Sequence, residues 1–233
     1  MTRLVAISNR VSVPRKGAAS GGLAVGGRAA MREHGGLWLG WSGQVAAAQA
    51  GGLEVVRRER LAFATFDLTQ PEYEEFYLGF SNGALWPLFH YFLQSFHYSE
   101  SEYATYLRVN QRFAEHALPL LRPDDLIWVH DYHLLPLASR LRALGVAQPI
   151  GFFLHIPFPG FDAFRALPGY QELLESLMSY DLIGFQTGDD LAAFHAAATA
   201  TWGAEAVRAD GSVQVGDRRL RAQVFPIGVD VDE

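Results

Sequence analysis

Residues 125 to 155 read DLIWVHDYHLLPLASRLRALGVAQPIGFFLH, and the alternation within this stretch decides the fold. Two short apolar runs, DLIWVHD (125–131) and PIGFFLH (149–155), flank LLPLASRLRALG (134–145), which has helical periodicity. The same alternation continues with a predicted helix, strand and helix at 161–179, 181–186 and 189–201. Buried strands that alternate with helices predict a parallel sheet covered on both faces, so we expect an α/β protein with a Rossmann-like, doubly wound, mostly parallel sheet.

The first third of the chain predicts a buried strand at RLVAIS (3–8), followed by a loop. A helix is expected from Gly21 to about His34, because Gly35 and Gly36 supply a stop signal. Three further runs predict strands in a meander, at 36–41, 53–57 and 61–67.

Two helical regions are expected between these strands and residue 125. The aromatic-rich stretch 71–91 predicts two short helices or a kinked one, with breaks near Asn82-Gly83 and at Pro87. A longer helix is predicted from about Glu100 to Leu121, with Pro119 disturbing its last turn. The closing segment SVQVGDRRLRAQVFPIG (212–228) predicts a hairpin that turns at Gly216-Asp217, then one short strand.

Composition excludes several classes of protein. The chain has 233 residues, a formal net charge of −6 at pH 7 and 49% hydrophobic residues, which is typical of a globular protein and excludes a basic nucleic-acid binder. It has no cysteine, which excludes disulfides and thiolate metal sites. The first apolar run is too short for a signal peptide, and no stretch reaches the roughly 20 apolar residues of a membrane span. We expect one cytoplasmic domain over residues 1–233, without a membrane segment.

Polar side chains follow four of the predicted strands. These strands run into Arg10, into His130-Asp131, into His155 and into Gln186. Because the carboxyl ends of parallel strands meet at one edge of an open α/β sheet, we expect these side chains to line a single crevice. An arginine, a carboxylate, a histidine and an amide are groups that suit a phosphorylated sugar.

Each of these residues also has a plainer interpretation. Arg10 is either a solvated loop cation or a phosphate ligand, and Asp131 either caps the following helix or accepts hydrogen bonds from sugar hydroxyls. His155, between apolar residues and prolines, is either a core histidine or a functional one. His130, Asp131 and His133 resemble a metal-ligand cluster, but successive strand residues point to opposite faces, so we expect no metal there.

Other candidate positions carry weaker signals. Gly21-Gly22 before a predicted helix offers backbone N–H groups to a diphosphate, although no complete GxGxxG motif is present. Trp41, Tyr77 and Trp86 are either core residues or aromatic faces for sugar rings.

At these positions the sequence resembles the trehalose-6-phosphate synthases, retaining GT-B glycosyltransferases of family 20 with two Rossmann-like domains. The resemblance extends over nearly the whole chain and covers the N-terminal domain of that family. It rests on these segments: RLVAISNR, SGGLAVG, GGLWLGWSG, FSNGALWPLFHY, YLRVN, IWVHDYHLLPL, IGFFLHIPFP, YDLIGFQT and FPIGV.

The resemblance implies roles for individual residues. On the acceptor side, Arg10 and Tyr77 would hold the phosphate of glucose 6-phosphate, and Trp41, Trp86 and Asp131 would shape the sugar pocket. On the donor side, the residues that would contact the nucleotide sugar are Gly21, Gly22, His155 and Gln186. His155 and Asp131 are the expected catalytic residues.

The implied reaction transfers glucose from UDP-glucose to glucose 6-phosphate with retention, giving trehalose 6-phosphate. The donor diphosphate would take the acceptor proton, so catalysis would be positioning and electrostatic stabilisation, without a metal or other cofactor. Family members are about twice this length, and we expect the chain to need a C-terminal nucleotide-sugar domain for activity. Homo-oligomers are a further partner that the resemblance implies. Alternatives are glucosylglycerol-phosphate synthesis, a pseudo-glycosyltransferase, or a non-catalytic domain that binds glucose 6-phosphate.

Overall fold

Nine strands form a mixed sheet in the computed structural model, which describes residues 2–11, 13, 35–46 and 52–228. The strands of this described part are β1 Arg3–Arg10, β2 Gly36–Ala46, β3 Glu54–Arg58, β4 Leu61–Thr69, β5 Asp125–His130, β6 Ile150–Phe153, β7 Leu182–Phe185, β8 Val213–Val215 and β9 Arg218–Val224. Their order across the sheet is β3-β4-β2-β1-β5-β6-β7-β9-β8. The two edge pairs, β3 with β4 and β8 with β9, are antiparallel, and the other pairs are parallel.

Besides short 3₁₀ turns, six α- or π-helical segments connect the described strands. Segment α1 runs without interruption through an α-helical turn Gln70–Glu72, a π-helical stretch Tyr73–Leu85 and a second α-helical turn Trp86–Phe89. The others are α2 Glu100–Ala117, α3 Leu137–Ala143, α4 Phe161–Phe164, α5 Tyr170–Leu177 and α6 Gly188–Trp202. Among these helices, none is both long and apolar enough to cross a membrane.

The predicted α/β class and mostly parallel sheet are confirmed, but the predicted meander in the first third is wrong. Strand β2 pairs in parallel with β4, with Leu39 opposite Ala64, and β3 lies outside β4. Burial explains the order: the first six residues of β4 are buried, whereas β3 is mostly exposed and carries Arg57 and Arg58. A charged, exposed strand is suited to a sheet edge, because its unpaired backbone groups face water.

Apolar residues pack on both faces of the sheet. Val5 and Ile7 belong to a large cluster that includes the described helices. Ala6 and Trp38, on the opposite face, belong to a small cluster whose described members lie on the first strands and on the segment after β1. The helix predicted at 21–34 lies outside the described residues.

Several predicted boundaries differ from the structure. The expected break at Asn82-Gly83 is wrong, because the helix continues through these residues with wider π-helical turns. At the end of this stretch the Trp86 N–H donates to the Ser81 carbonyl, five residues earlier. The predicted helix 161–179 is two helices, since Gly169 adopts a φ of 80° between α4 and α5. The final hairpin is confirmed, whereas the short strand expected after it is absent from 225–228. Helix α2 is confirmed, and it ends at Ala117 before a 3₁₀ turn that contains Pro119.

The turn that follows β5 is fixed by buried side chains from other elements. The hydroxyl of Tyr106 donates to the Tyr132 carbonyl at 2.8 Å and accepts from the Leu135 N–H at 3.2 Å. The Asn110 amide donates to the His133 carbonyl at 3.0 Å, and the Tyr180 hydroxyl donates to the Leu134 carbonyl at 2.8 Å. These bonds satisfy backbone groups that the turn itself leaves unpaired.

We predict that Tyr106→Phe destabilises the fold by about 1–3 kcal/mol, because it leaves a buried N–H and a buried carbonyl without their partner. The free energy of unfolding in urea measures this loss. Tyr170→Phe is the matched control, since the Tyr170 hydroxyl makes no hydrogen bond to any described residue. Equal stabilities of the two variants would contradict the proposed bracing of the turn.

Candidate active site

The four strands predicted to deliver polar residues to one edge are neighbours in the sheet. Their order is β1-β5-β6-β7, and all three pairings are parallel. Arg10 ends β1, Asp131 follows β5, His155 follows β6 by two residues and Gln186 directly follows β7. The structure therefore brings these four residues to the carboxyl edge of the sheet.

Arg10 lies at the exposed end of β1, against an aromatic cluster. Its guanidinium carbon is 5.8 Å from the ring centroid of Trp41, which is itself buried. The backbone of Gly43 lies beneath the guanidinium, with a φ of +89°, and a Cβ there would come within 2.6 Å of Arg10 Nε. Glycine is favoured at this φ, and its lack of a side chain leaves room for the Arg10 guanidinium, whose N–H groups are suited to bind an anion.

Tyr77 extends the aromatic cluster from Trp41 towards the end of β5. Its ring centroid is 5.4 Å from that of Trp41 and 5.9 Å from that of His133, with the His133 ring almost parallel at 12°. His133 is buried, and neither of its ring nitrogens has a hydrogen-bond partner among the described residues. Burial lowers the pKa of His133 to about 3, so it is a neutral packing ring beneath Tyr77.

Asp131 has a backbone conformation that few residues other than glycine adopt. Its φ is 74° and its ψ is 168°, a region whose cost for a non-glycine residue is about 1–3 kcal/mol. Three hydrogen bonds hold it: its N–H donates to the Phe153 carbonyl at 2.9 Å, its carbonyl accepts from the Leu134 N–H at 3.0 Å, and its carboxylate accepts from the His155 N–H at 3.1 Å. The helix-capping interpretation of its side chain is wrong, because no capping bond forms.

Burial raises the pKa of Asp131 to about 6, and the N–H groups of His155 and Tyr132 and the nearby charge of His90 only partly offset it. His90 in turn stacks on Trp86, with ring centroids 4.2 Å apart. The Trp86 side chain is 38% exposed, which distinguishes it from the buried Trp41. The exposed part of Trp86 is thus available to a ligand.

His155 is joined to β5 through its ring as well as its backbone. His130 Nδ1 and His155 Nε2 are 3.1 Å apart, and each ring packs on an aromatic neighbour, Trp128 for His130 and Phe153 for His155. Burial lowers the pKa of His130 to about 3, helped by repulsion from His155, and burial alone lowers the pKa of His155 to about 4. Both imidazoles are therefore neutral at pH 7. Sequence reasoning placed His130 at the edge and weighed it as a metal ligand, but it missed this pairing.

Gln186 has a structural partner of its own. Its side-chain oxygen accepts a hydrogen bond from the Ile227 N–H at 3.1 Å, which ties the segment after β9 to the end of β7. A cavity of about 810 Å³ runs along this face of β5, β6 and β7 and reaches the edge, where its wall includes His130, His155 and Gln186.

Two predictions from the sequence remain, the glycine pair and the metal-ligand cluster. Gly21 and Gly22 lie outside the described residues. Within the described part of the chain, no group of three His, Cys, Asp or Glu side chains could hold a metal ion. The His130, Asp131 and His133 cluster noted in the sequence is one that does not converge: the first two contact His155 and the third packs under Tyr77.

Tyr132 and Asn82 also belong to this neighbourhood, and sequence reasoning did not single them out. The Tyr132 hydroxyl donates to the Asn82 side-chain oxygen at 2.7 Å, which ties α1 to the turn after Asp131. The Asn82-Gly83 pair carries a turn signal in the sequence, and only the tertiary contact identifies Asn82 as a brace.

A parallel sheet with an arginine, aromatic faces and buried polar groups at its carboxyl edge is typical of proteins that bind phosphorylated sugars or nucleotides. The family model for glycosyltransferase family 20 matches residues 8–233, so the chain belongs to this family.

Curated relatives and solved structures agree with this assignment. A trehalose-6-phosphate synthase from Klebsiella pneumoniae subsp. pneumoniae is 47% identical over 242 residues, covering 100% of this chain and 49% of the relative. A structure of the UDP-forming α,α-trehalose-phosphate synthase from Burkholderia xenovorans with glucose-6-phosphate has a TM-score of 0.90 and 45% identity, over 97% of this chain and 50% of that one. An E. coli structure bound with UDP-2-fluoro glucose has a TM-score of 0.90 and 44% identity, over 98% and 49%. The chain thus spans about half the length of the proteins that it matches.

We predict that the raised pKa of Asp131 makes stability depend on pH. Because the folded-state pKa is about 6, above the ordinary value of 3.8, the proton stabilises the fold below pH 3.8 and this stability is lost as pH rises through 6. Asp131→Asn removes this titration and keeps an oxygen that accepts from the His155 N–H. Between about pH 4.5 and about pH 8, the variant should gain about 2 kcal/mol relative to the parent in the free energy of unfolding. A stability difference that does not change with pH would contradict the raised pKa of Asp131.

Proposed function

We propose that this chain is the acceptor-binding half of an α,α-trehalose-phosphate synthase, which transfers glucose from UDP-glucose to glucose 6-phosphate with retention. The observation that carries the proposal is the arrangement of Arg10, Asp131 and His155 at one edge of the sheet. Support comes from the Burkholderia xenovorans relative, which is 45% identical and whose solved structure contains glucose-6-phosphate.

The acceptor would lie between Arg10 and Asp131. In this proposal the exposed guanidinium of Arg10 and the Tyr77 hydroxyl hold the phosphate, which an arginine fork grips with two parallel hydrogen bonds. Trp41 lies between these two side chains, 5.8 Å from the guanidinium and 5.4 Å from the Tyr77 ring, so it holds the phosphate ligands in place. Asp131 would accept hydrogen bonds from the sugar hydroxyls, with Trp86 against the ring.

The donor would lie on the other side of Asp131, towards β6 and β7. His155 and Gln186 line the cavity there, and His155 is the residue that we assign to the transferred glucose. Gly21 and Gly22 would approach the diphosphate through their backbone N–H groups. Since this domain presents one wall of the crevice, we propose that the nucleotide part of the donor binds to a second domain.

The reaction in this proposal depends on placement. Asp131 and His155 share a hydrogen bond of 3.1 Å, so the acceptor carboxylate and the donor histidine are held in one geometry. Orienting the two substrates in this way converts a bimolecular encounter into a reaction within one complex. The acceptor proton passes to the departing diphosphate, and the proposal includes no metal and no other cofactor.

The acceptor site can be tested by titration calorimetry with glucose 6-phosphate. We expect binding in the millimolar range or weaker, because the crevice has one wall, and at least about tenfold weaker binding for Arg10→Ala, which loses charge-assisted hydrogen bonds. Arg218→Ala on β9 is the matched control and should bind like the parent. Equal affinity of the Arg10→Ala variant and the parent would remove Arg10 from the phosphate site.

The activity can be tested by complementation. We expect that the C-terminal half of the Klebsiella pneumoniae relative, added to this chain, restores release of UDP from UDP-glucose that depends on glucose 6-phosphate. Each half alone is the control, and mass spectrometry of the product distinguishes trehalose 6-phosphate from glucosylglycerol phosphate. A complex that assembles, as judged by gel filtration, but releases no UDP would count against the proposal.

A further inference from the structure

The pairing of His130 with His155 is a feature of the edge that the proposed function does not use. His130 Nδ1 faces His155 Nε2 at 3.1 Å, a distance at which one nitrogen must carry a hydrogen and the other must accept it. Because both imidazoles are neutral, the two rings share a single proton across this gap. The tautomer of one ring therefore fixes the tautomer of the other.

Only two arrangements of this proton are possible. If His130 Nδ1 carries it, both rings are Nδ1–H tautomers; if His155 Nε2 carries it, both rings are Nε2–H tautomers. A free neutral histidine favours the Nε2–H form, so the second arrangement leaves both rings in their preferred state. In that arrangement His155 Nδ1, which has no hydrogen-bond partner among the described residues, is a free acceptor.

We propose that His130 is a positioning residue, which accepts the Nε2–H of His155 and so presents His155 Nδ1 as a hydrogen-bond acceptor to a hydroxyl of the donor sugar. The identity of the sugar as the ligand rests on the proposed function. The tautomer and its dependence on His130 rest on the geometry alone.

Packing explains how the pair keeps this geometry. The His130 ring lies against Trp128, with centroids 4.2 Å apart, and the His155 ring lies against Phe153 at 4.6 Å. The Asp131 carboxylate holds the backbone of His155 at the same time. The imidazole of His155 is thus fixed at its ring by His130 and at its backbone by the next residue along β5.

The chain supplies its own standards for a nuclear magnetic resonance test. His195 Nε2 lies 2.9 Å from the Gly211 carbonyl and His90 Nδ1 lies 2.7 Å from the Trp86 carbonyl. A carbonyl can only accept, so His195 is an Nε2–H reference and His90 an Nδ1–H reference. In a ¹⁵N-histidine-labelled chain at about pH 8.5, where an ordinary imidazole is neutral, His155 should show the pattern of His195, with a through-bond coupling between its Nε2 and His130 Nδ1.

Two substitutions separate the hydrogen bond from the packing. His130→Phe keeps an aromatic ring against Trp128 but removes the acceptor, so the coupling and the slowly exchanging Nε2 proton of His155 should both disappear. His130→Asn places an amide oxygen near the position of Nδ1, so the slowly exchanging proton should return without the coupling. An Nδ1–H pattern for His155 in the parent, or an Nε2 proton that persists unchanged in His130→Phe, would overturn the proposal.

The complemented enzyme gives the functional readout. His130→Phe should lower kcat about 5- to 10-fold, the effect of one lost hydrogen bond, with the KM for glucose 6-phosphate unchanged, and His130→Asn should recover most of it. His195→Phe is the matched control and should leave kcat unchanged.

An unchanged kcat in His130→Phe would overturn the positioning role. A parent that shows the coupling but transfers no glucose would overturn the proposed function and leave the tautomer assignment standing.

Discussion

The hydrogen bond from the His155 N–H to the Asp131 carboxylate is the interaction on which the edge depends. It joins the residue that follows β5 to the loop that follows β6, and it satisfies a half-buried carboxylate that would otherwise be costly. It also helps to hold Asp131 at a φ of 74°, a conformation that a non-glycine residue keeps only when its surroundings impose it. The turn after Asp131 supplies that constraint, because side chains of Tyr106, Asn110 and Tyr180 donate hydrogen bonds to the backbone carbonyls of this turn.

The strained backbone of Asp131 explains why two consecutive residues act on the same neighbour. In a regular strand His130 and Asp131 would point to opposite faces, which is the argument that excluded them as joint metal ligands. The positive φ turns the chain at the end of β5, so that the His130 ring contacts the His155 ring while the Asp131 carboxylate contacts the His155 backbone. The geometry brings the pair together around His155.

The sequence predicts the edge well because its rule is topological. Strands that alternate with helices run parallel, so the polar residues after β1, β5, β6 and β7 are expected at one edge of the sheet, and the structure places them there.

The parallel pairing of β2 with β4 could not be predicted from the sequence. No local signal distinguishes it from a hairpin, and the choice depends on which strand is buried by distant parts of the chain. The π-helical turns through Asn82-Gly83 could not be predicted either, because they also depend on a distant contact. The hydrogen bond of Asn82 with Tyr132 overrides the local turn signal. The φ of Asp131 has no sequence signature at all, because an aspartate after a strand is as easily a helix cap.

Burial gives the edge its electrostatic character. The imidazoles of His130, His133 and His155 are kept neutral, whereas Asp131, with a pKa raised to about 6, is mostly a carboxylate at pH 7. The described edge therefore presents neutral rings and one carboxylate acceptor at β5 and β6, and the exposed cation of Arg10 at β1. In the proposed function, a phosphate would find its charge partner at β1, while the hydroxyls of the sugar would face the acceptor groups at β5 and β6. Because the cation and the acceptor groups lie on different strands, the order of strands in the sheet would set the orientation of a bound sugar phosphate along the edge.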